Sequence, residues 1–154
     1  PDILVIGKGM ASGLPVGAFT SSREIMHTLS ENPKMGHITT FGGNPVIAAS
    51  SLATLNVLLN SSLIEDTLKK ELLFKKLLKH PKIKEIRGKG LMLALIMDTP
   101  ETANQLVLQA KEKNLILFWL LFENRAVRIS PPLTITKKEI QEGCEIILAL
   151  LNSL

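Results

Sequence analysis

The chain has 154 residues, of which 45% are hydrophobic and 21% are charged, and its net charge is +4. This length supports about one domain with a core of its own, and this balance excludes an intrinsically disordered protein. The mild charge and the lack of interleaved aromatic residues disfavour a nucleic-acid partner. The single cysteine, Cys144, excludes an intramolecular disulfide, favours a reducing, cytoplasmic setting, and is interpreted as a small core residue. No apolar run is long enough to cross a bilayer, so no membrane partner is expected.

Residues 1–60 are predicted to form two strands and two helices. In chain order these are strands 3–6 and 16–20, a short helix that ends near residue 29, and a helix from Pro45 to about residue 59. The capping-box spacing of Ser21 and Glu24 marks the start of the short helix, and Asn44 before Pro45 marks the start of the long one. The first strand and the long helix are apolar on nearly every side, so we expect both to be buried.

The remaining residues, 61–154, are predicted to follow the order α-β-β-α-β-β-α, a small and largely antiparallel sheet covered by helices. The predicted elements are helix 63–79, strands 83–87 and 91–97, helix 100–113, strands 115–121 and 126–130, and helix 137–152. Capping boxes at Ser62 and Thr136 mark two helix starts. The inner face of the first helix is expected to consist of Leu68, Leu72, Leu73, Leu77 and Leu78. Phe118 and Trp119 are expected in the core.

Lys8 is the first candidate for chemistry. It follows an apolar strand, at the end where α/β folds place ligands, and Gly7 and Gly9 let the backbone approach a bound group closely. Removing this lysine from water would expose a nucleophilic amine, as a Schiff-base lysine requires. A solvated lysine at a strand end is the alternative that these residues leave open. The glycine spacing matches neither a P-loop nor the dinucleotide fingerprint.

The stretch HITTFGGNP, residues 37–45, is the second candidate. It places Thr39 and Thr40, two glycines and a helix N-terminus within a few residues. Hydroxyls and backbone N–H groups in such a loop favour a phosphate site. An ordinary loop and helix cap is the alternative.

Arg128 is the third candidate, because it interrupts an otherwise apolar predicted strand. A guanidinium in that position needs a partner, and a substrate carboxylate bound in a bidentate fork would serve. An ion pair within the chain, for instance with a glutamate, is the alternative.

Four stretches of the chain resemble the class III pyridoxal-phosphate-dependent aminotransferases. PDILVIGKGMASGLPVGA resembles their lysine segment, and HITTFGGNPVIAASSLATLNVL resembles their phosphate loop and the helix after it. IRGKGLMLAL and VRISPPLTIT resemble their C-terminal domain. The stretches occur in the family's order, and together they implicate essentially the whole chain. TTFGGNP and the match at Arg128 favour the acetylornithine and ornithine branch, although the 4-aminobutyrate and lysine aminotransferases share much of this pattern.

The resemblance implies an α/β chain that is the C-terminal portion of a fold-type-I transferase, which works as a homodimer. Residues 1–60 would be a remnant of the large cofactor-binding domain, and residues 61–154 the small C-terminal domain. Lys8 matches the lysine that forms a Schiff base with pyridoxal phosphate and moves a proton at the substrate. Thr40, assisted by Thr39, matches the threonine that reaches the cofactor phosphate of the neighbouring subunit. Arg128 matches the arginine that holds a substrate carboxylate.

Two functional hypotheses follow from this resemblance. In the first, the chain is part of an enzyme that transfers an amino group from an acetylornithine- or ornithine-type donor to 2-oxoglutarate. In the second, it is a non-catalytic C-terminal fragment or interaction module. In the family, three features precede the lysine in the chain. They are the aspartate that binds the pyridine nitrogen of the cofactor, an aromatic residue that stacks on the cofactor ring, and a first phosphate-binding loop. Since a strand begins almost at Pro1, we expect a piece of a longer chain, inactive in isolation.

Overall fold

The strands of the chain form two separate antiparallel sheets, one in each of two units. The computed structural model describes residues 1–154, and the units are Pro1–Ser61 and Ser62–Leu154. In chain order the elements are β1 (Ile3–Gly7), a 3₁₀ helix (Lys8–Ala11), β2 (Gly17–Ser21), α1 (Arg23–His27), α2 (Pro45–Leu59), α3 (Leu63–Leu77), β3 (Ile83–Lys89), β4 (Met92–Met97), α4 (Pro100–Glu112), β5 (Phe118–Trp119), β6 (Ala126–Ile129) and α5 (Lys137–Ser153). The order after Ser62 is the predicted α-β-β-α-β-β-α.

The first unit consists of a two-stranded sheet and the helices beside it. β1 runs antiparallel to β2, with Ile3 opposite Ser21 and Gly7 opposite Gly17. This sheet has no third strand. α2 packs on the 3₁₀ helix that follows β1. The short segment after β1 is therefore supported by a helix from the far end of the same unit.

The prediction that β1 and α2 are buried is wrong for this chain. Ile3, Leu4, Val5 and Ile6 are 51%, 48%, 77% and 37% exposed. In α2 only Ser51 is buried. The exposed apolar residues of this helix are Val46, Leu52, Leu55, Val57 and Leu59. Both elements have the composition of buried ones, but the first unit supplies no further layer to cover them.

The second unit has a closed core. Its sheet has the strand order β3-β4-β6-β5, and every neighbouring pair is antiparallel. Side chains from β4, β6, α4 and α5 form one cluster, joined by Phe74 of α3. Cys144 belongs to this cluster at 1% exposure, as predicted, and burial raises the pKa of its thiol to about 12.

Glu71 ties α3 to the turn between β3 and β4. Its carboxylate accepts hydrogen bonds from the Lys75 ammonium and from the Gly90 backbone N–H, each at 2.5 Å. These two bonds, the Lys75 bond foremost, lower the pKa of Glu71. The glycine-rich turn of the IRGKG stretch is therefore fixed by a charged side chain.

Two helix starts confirm their predicted caps. The Thr136 hydroxyl accepts from the Glu139 N–H at 3.2 Å, and the Glu139 carboxylate accepts from the Thr136 N–H at 2.7 Å. Asn44 Oδ1 accepts from the N–H groups of Val46 and Ile47 at the start of α2. Both helices begin where local side-chain chemistry requires.

Two other predicted capping boxes are wrong. Ser22, not Ser21, caps α1, and its hydroxyl accepts from the Ile25 N–H at 3.3 Å. Ser62 stands at the N-cap of α3 without capping it, because its hydroxyl donates instead to the Asp66 carboxylate at 2.7 Å. A nearby acidic acceptor thus replaces the backbone partner that the spacing of Ser62 predicts.

The predicted strand 115–121 is mostly irregular. Only Phe118 and Trp119 pair with β6, and they are 50% and 47% exposed, so their assignment to the core is wrong. β5 lies at the edge of the sheet, where one side has no neighbouring strand. The apolar residues that follow, Leu121 and Phe122, are fully or almost fully exposed.

The inner face of α3 is narrower than predicted. Leu78 is buried and Leu73 and Leu77 are packed against the core, but Leu68 and Leu72 are 50% and 67% exposed. α3 contacts α5 and β3, so only its last turns have an apolar surface to meet.

No single helix of the chain is long and apolar enough to cross a membrane; α2 and α3 meet that test only as a pair bent by 63°.

Candidate active site

Lys8 lies where β1 ends and the 3₁₀ helix begins. Its φ is +51°, in the left-handed region that residues with a Cβ seldom adopt, and Ser12 at the other end of the helix has φ +45°. Such conformations persist only where the surrounding structure imposes them, and they cluster at functional sites. The Lys8 side chain is exposed and takes part in none of the ion pairs of the chain. Its side chain is thus solvated and unpaired in this chain, which is the alternative that the sequence left open.

Two hydroxyls of α2 hold this strained segment in place. The Ser50 hydroxyl donates to the Ala11 carbonyl at 2.8 Å, and the Thr54 and Ser12 hydroxyls are hydrogen-bonded to each other at 2.9 Å. Ala11 itself is fully buried. Sequence reasoning missed these positioning residues. The available signal was a pair of hydroxyl residues four positions apart, hence on one face, in a helix without charged residues.

The loop of residues 37–44, called the phosphate loop below, turns tightly because two glycines follow Thr40 and Phe41. The Gly42 N–H donates to the Thr39 carbonyl at 3.3 Å, and the Asn44 N–H donates to the Phe41 carbonyl at 3.2 Å. A Cβ on Gly42 would clash with the Thr39 hydroxyl oxygen, so a larger residue there would force the Thr39 side chain to move. The loop thereby brings the Thr39 side chain back against its own backbone.

Thr40 projects from this loop without a partner. Its side chain is exposed, and neither its N–H nor its hydroxyl is hydrogen-bonded within the chain. The first turn of α2 has no free N–H to offer an anion. Asn44 occupies the N–H groups of Val46 and Ile47, its carbonyl accepts from the Ala48 N–H at 2.9 Å, and Pro45 has no N–H. An anion at this loop would therefore be bound by the threonines.

A cleft of about 580 Å³ lies between the phosphate loop, the segment before β2, and α2. Thr39 and Phe41 line it on one side, and Val16 lines it on another. Ser51 lines it from α2; its side chain is 6% exposed, and its hydroxyl has no hydrogen-bond partner. Lys8 and Thr40 are not part of its lining. The structure thus brings Thr39 to this cleft but does not bring Lys8 and Thr40 together in it.

Arg128 lies in the second unit, on the solvent side of β6. Its neighbours Val127 and Ile129 are buried, so the alternation of the strand turns the arginine outward. Its guanidinium stacks on the Phe118 ring, with the central carbon 4.9 Å from the ring centroid. It lines a cleft of about 370 Å³ together with Ser130. No ion pair of the chain includes Arg128, so the alternative of an ion pair within the chain does not apply.

Comparison with known proteins identifies the family to which this arrangement belongs. The family model described as aminotransferase class III matches residues 1–151. The chain belongs to the class III aminotransferases. This confirms the resemblance carried by the lysine, phosphate-loop and C-terminal stretches.

Similar proteins include an acetylornithine aminotransferase of Caldanaerobacter subterraneus subsp. tengcongensis, 36% identical over 160 residues, covering 100% of this chain and 39% of that enzyme. A putrescine aminotransferase of Pectobacterium atrosepticum is 36% identical over 146 residues, covering 90% of this chain and 31% of that enzyme. An ornithine aminotransferase of Toxoplasma gondii, whose active site is described as partly occupied by PLP, superposes with a TM-score of 0.87 at 32% identity, covering 99% of this chain and 37% of that one.

These likenesses confirm the predicted fold class, an α/β chain with the fold-type-I architecture. They also show that the chain spans about two fifths or less of the length of these class III aminotransferases. The roles of Lys8, Thr39, Thr40 and Arg128 stay predictions, and so do the domain assignments of the two units.

Proposed function

We propose that this chain supplies the lysine-bearing and arginine-bearing parts of a class III aminotransferase that uses pyridoxal phosphate. Its reaction is the transfer of an amino group from an acetylornithine- or ornithine-type donor to 2-oxoglutarate. The observation that carries the proposal is Lys8, an unpaired lysine on a strained turn that Ser50 and Thr54 hold against α2. Residues 1–60 then belong to the large domain of the enzyme and residues 61–154 to its small domain.

The residues present fit this cofactor at two points. The exposed, unpaired Lys8 amine fits its aldehyde, and the unpartnered hydroxyl and N–H of Thr40, with Thr39 beside it, fit its phosphate. When bound, pyridoxal phosphate supplies the electron sink for negative charge at the carbon that loses its proton. Because Lys8 and Thr40 do not share a cleft, we propose that Thr40 serves the site of a neighbouring subunit in a homodimer.

Each side chain of the candidate site then has a defined task. The Lys8 amine binds the cofactor and carries a proton to and from the substrate carbon. The Arg128 guanidinium, stacked on Phe118, donates two parallel N–H bonds to a substrate carboxylate. Ser50 and Thr54 keep Lys8 in position through their hydrogen bonds to the Ala11 carbonyl and the Ser12 hydroxyl.

Covalent labelling with limiting pyridoxal phosphate and borohydride tests the role of Lys8. Peptide mapping is expected to find the label on Lys8 in preference to Lys34, an exposed lysine of the same unit. Thr40→Ala should reduce the labelling of Lys8 and leave that of Lys34 unchanged. Equal labelling of the two lysines would contradict the proposal.

Carboxylate recognition by Arg128 is tested in the assembled enzyme, with the missing portion supplied. Arg128→Lys, which keeps the charge but loses the fork, should raise KM for acetylornithine and leave KM for putrescine unchanged, since putrescine has no carboxylate. An equal rise for both donors would contradict a carboxylate-binding role.

Two observations favour the second hypothesis, a non-catalytic interaction module. The chain spans 39% of the Caldanaerobacter enzyme, and the apolar elements of its first unit are uncovered. Turnover of acetylornithine with 2-oxoglutarate by the isolated chain would contradict this hypothesis. It would also contradict our expectation that the isolated chain is inactive.

A further inference from the structure

Two arginines stand in one row across the sheet of the second unit. Arg87 of β3 lies opposite Ala94 of β4, and Ala94 lies opposite Arg128 of β6. The residues on either side of Ala94 and Arg128 along their strands all belong to the core cluster: Leu93, Leu95, Val127 and Ile129. Because side chains alternate along a strand, both arginines lie on the face of the sheet that is turned away from the core. Their Cα atoms are two strand spacings apart, or about 10 Å.

A small cleft lies between these two arginines. Its volume is about 180 Å³, and it is lined by Arg87, Ala94 and Arg128, and also by Met92 and Ser130. The short side chain of Ala94 leaves the middle of the row open, whereas a longer one would fill it. Clefts that hold drug-sized ligands measure about 300–1,000 Å³, so this cleft fits a smaller molecule. Two cations at its sides favour a molecule with negative charge.

The guanidinium of Arg87 keeps donors for such a ligand. Its Nε donates to the Glu85 carboxylate at 2.8 Å, and no hydrogen bond of the chain uses its two terminal nitrogens. Both side chains of this ion pair are about half exposed, and ion pairs so exposed are weak. Glu123 is a second carboxylate within the electrostatic range of Arg87, but the Arg125 guanidinium binds it with hydrogen bonds of 3.2 and 3.1 Å. Arg87 can therefore bind an anion in the cleft.

The spacing of the two guanidiniums indicates the class of anion. One guanidinium binds one carboxylate through two parallel N–H bonds. Arg128 belongs to no ion pair, and its stacking on Phe118 orients its plane. Two guanidiniums on opposite sides of a small cleft therefore match two carboxylates joined by a short carbon chain. Of the two substrates of the proposed function, 2-oxoglutarate has a carboxylate at both ends, whereas acetylornithine has only one carboxylate.

We propose that Arg87 and Arg128 together form a binding site for a short dicarboxylate across Ala94. Arg128 binds one carboxylate, the terminal nitrogens of Arg87 bind the other, and the carbon chain lies on the Ala94 methyl group. Arg87 is then the residue that distinguishes the amino acceptor 2-oxoglutarate from a donor with one carboxylate. This choice of ligand rests on the proposed function, whereas the site itself rests on the register of the sheet.

The test compares the binding of glutarate and of pentanoate to this chain by NMR titration. The two acids have carbon chains of equal length, but glutarate has two carboxylates and pentanoate has one. Glutarate is expected to bind about tenfold more tightly or better, since only glutarate engages both arginines. Arg87→Gln should lower the affinity for glutarate to that for pentanoate. Lys111→Gln, the same change of charge at an exposed residue of α4, is the control and should leave both affinities unchanged.

A second variant tests the position of the ligand. Ala94→Leu keeps both arginines but fills the space between them, so it should also remove the preference for glutarate. Retention of the preference in this variant would place glutarate outside the cleft and would overturn the proposal.

Two other results would overturn the proposal. They are equal affinities of the parent chain for the two acids, and a preference for glutarate that Arg87→Gln retains. The outcome for Lys8 is measured separately, by its labelling with pyridoxal phosphate. Binding of glutarate that depends on Arg87, together with equal labelling of Lys8 and Lys34, would support the dicarboxylate site and contradict the proposed function.

Discussion

Both units of this chain contain apolar strands or helices, but the units differ in how far these elements are buried. In the second unit, Leu95 and Leu106 are fully buried between the sheet and the helices. In the first unit, Val5 and Leu59 are 77% and 75% exposed, although their elements are at least as apolar. The second unit closes a core from its own residues, whereas the first leaves the apolar surfaces of β1 and α2 exposed. Burial thus follows from the neighbours an element has, and not from its composition alone.

The largest expected effect concerns the core of the second unit. Leu95→Ala removes a fully buried side chain and should lower the free energy of unfolding by about 3 kcal/mol. Val5→Ala removes a largely exposed one and should lower it by less than about 0.5 kcal/mol. Denaturant unfolding followed by circular dichroism of the backbone, to which both units contribute, measures both. Similar losses for the two variants would show that the first unit is covered as well as the second.

A backbone substitution in the same unit should have the next largest effect. Gly88 has φ +114°, and a Cβ there would lie 2.0 Å from the Met92 carbonyl oxygen. Gly88→Ala should therefore cost about 2 kcal/mol of stability, from strain in the β3–β4 hairpin. Gly9→Ala in the first unit is the matched control, because a Cβ there would meet no atom within 4 Å and the φ of Gly9 is not positive. Equal thermal shifts for the two variants would contradict this account of the hairpin.

The helix caps provide a smaller comparison. Thr136→Ala removes the hydroxyl that accepts from the Glu139 N–H and donates to the Glu139 carboxylate, and it should cost about 1 kcal/mol. Ser62→Ala, at a helix start where the hydroxyl bonds Asp66 instead of the backbone, should cost less than half of that. Urea unfolding of the two variants checks this order, and the reverse order would contradict the assigned caps.

The smallest effect is a pH dependence centred on Glu71. The pKa of this carboxyl is lowered from 4.5 in the folded state, so its contribution to stability is present above about pH 4.5 and is lost as pH falls through the lowered value. Glu71→Gln should therefore flatten the loss of stability in acid. Glu112→Gln, at the exposed end of α4, should leave it as in the parent chain. If Glu71→Gln lost stability in acid as steeply as the parent chain, Glu71 would not be the source of this pH dependence.

Local chemistry made much of the fold predictable. Asn44 before Pro45 and the Thr136–Glu139 pair each determine a helix start through bonds to residues two or three positions away, and the structure has both. The antiparallel order of the second unit followed from short apolar runs separated by glycine and proline. The exposure of Val5 was not predictable, because it depends on which strands and helices lie beside β1 and not on the residues around it in the sequence.

The candidate site was predictable as a set of residues but not as an arrangement. Lys8, Thr40 and Arg128 could be singled out by motif and resemblance. The left-handed φ of Lys8 and its support from Thr54 through Ser12 depend on contacts between positions far apart in the sequence, which no local pattern encodes. The outward direction of Arg128 required the register of β6 against β4, which places it opposite Ala94.

Hydrogen exchange of the isolated chain tests the central claim most directly. Because the strands of the first unit are exposed, the amides of β1 should exchange at least about a hundredfold faster than those of β4 and β6, which lie in the closed core. Equal protection of β1 and β4 in the isolated chain would contradict that claim, because it would mean that the first unit completes its own fold.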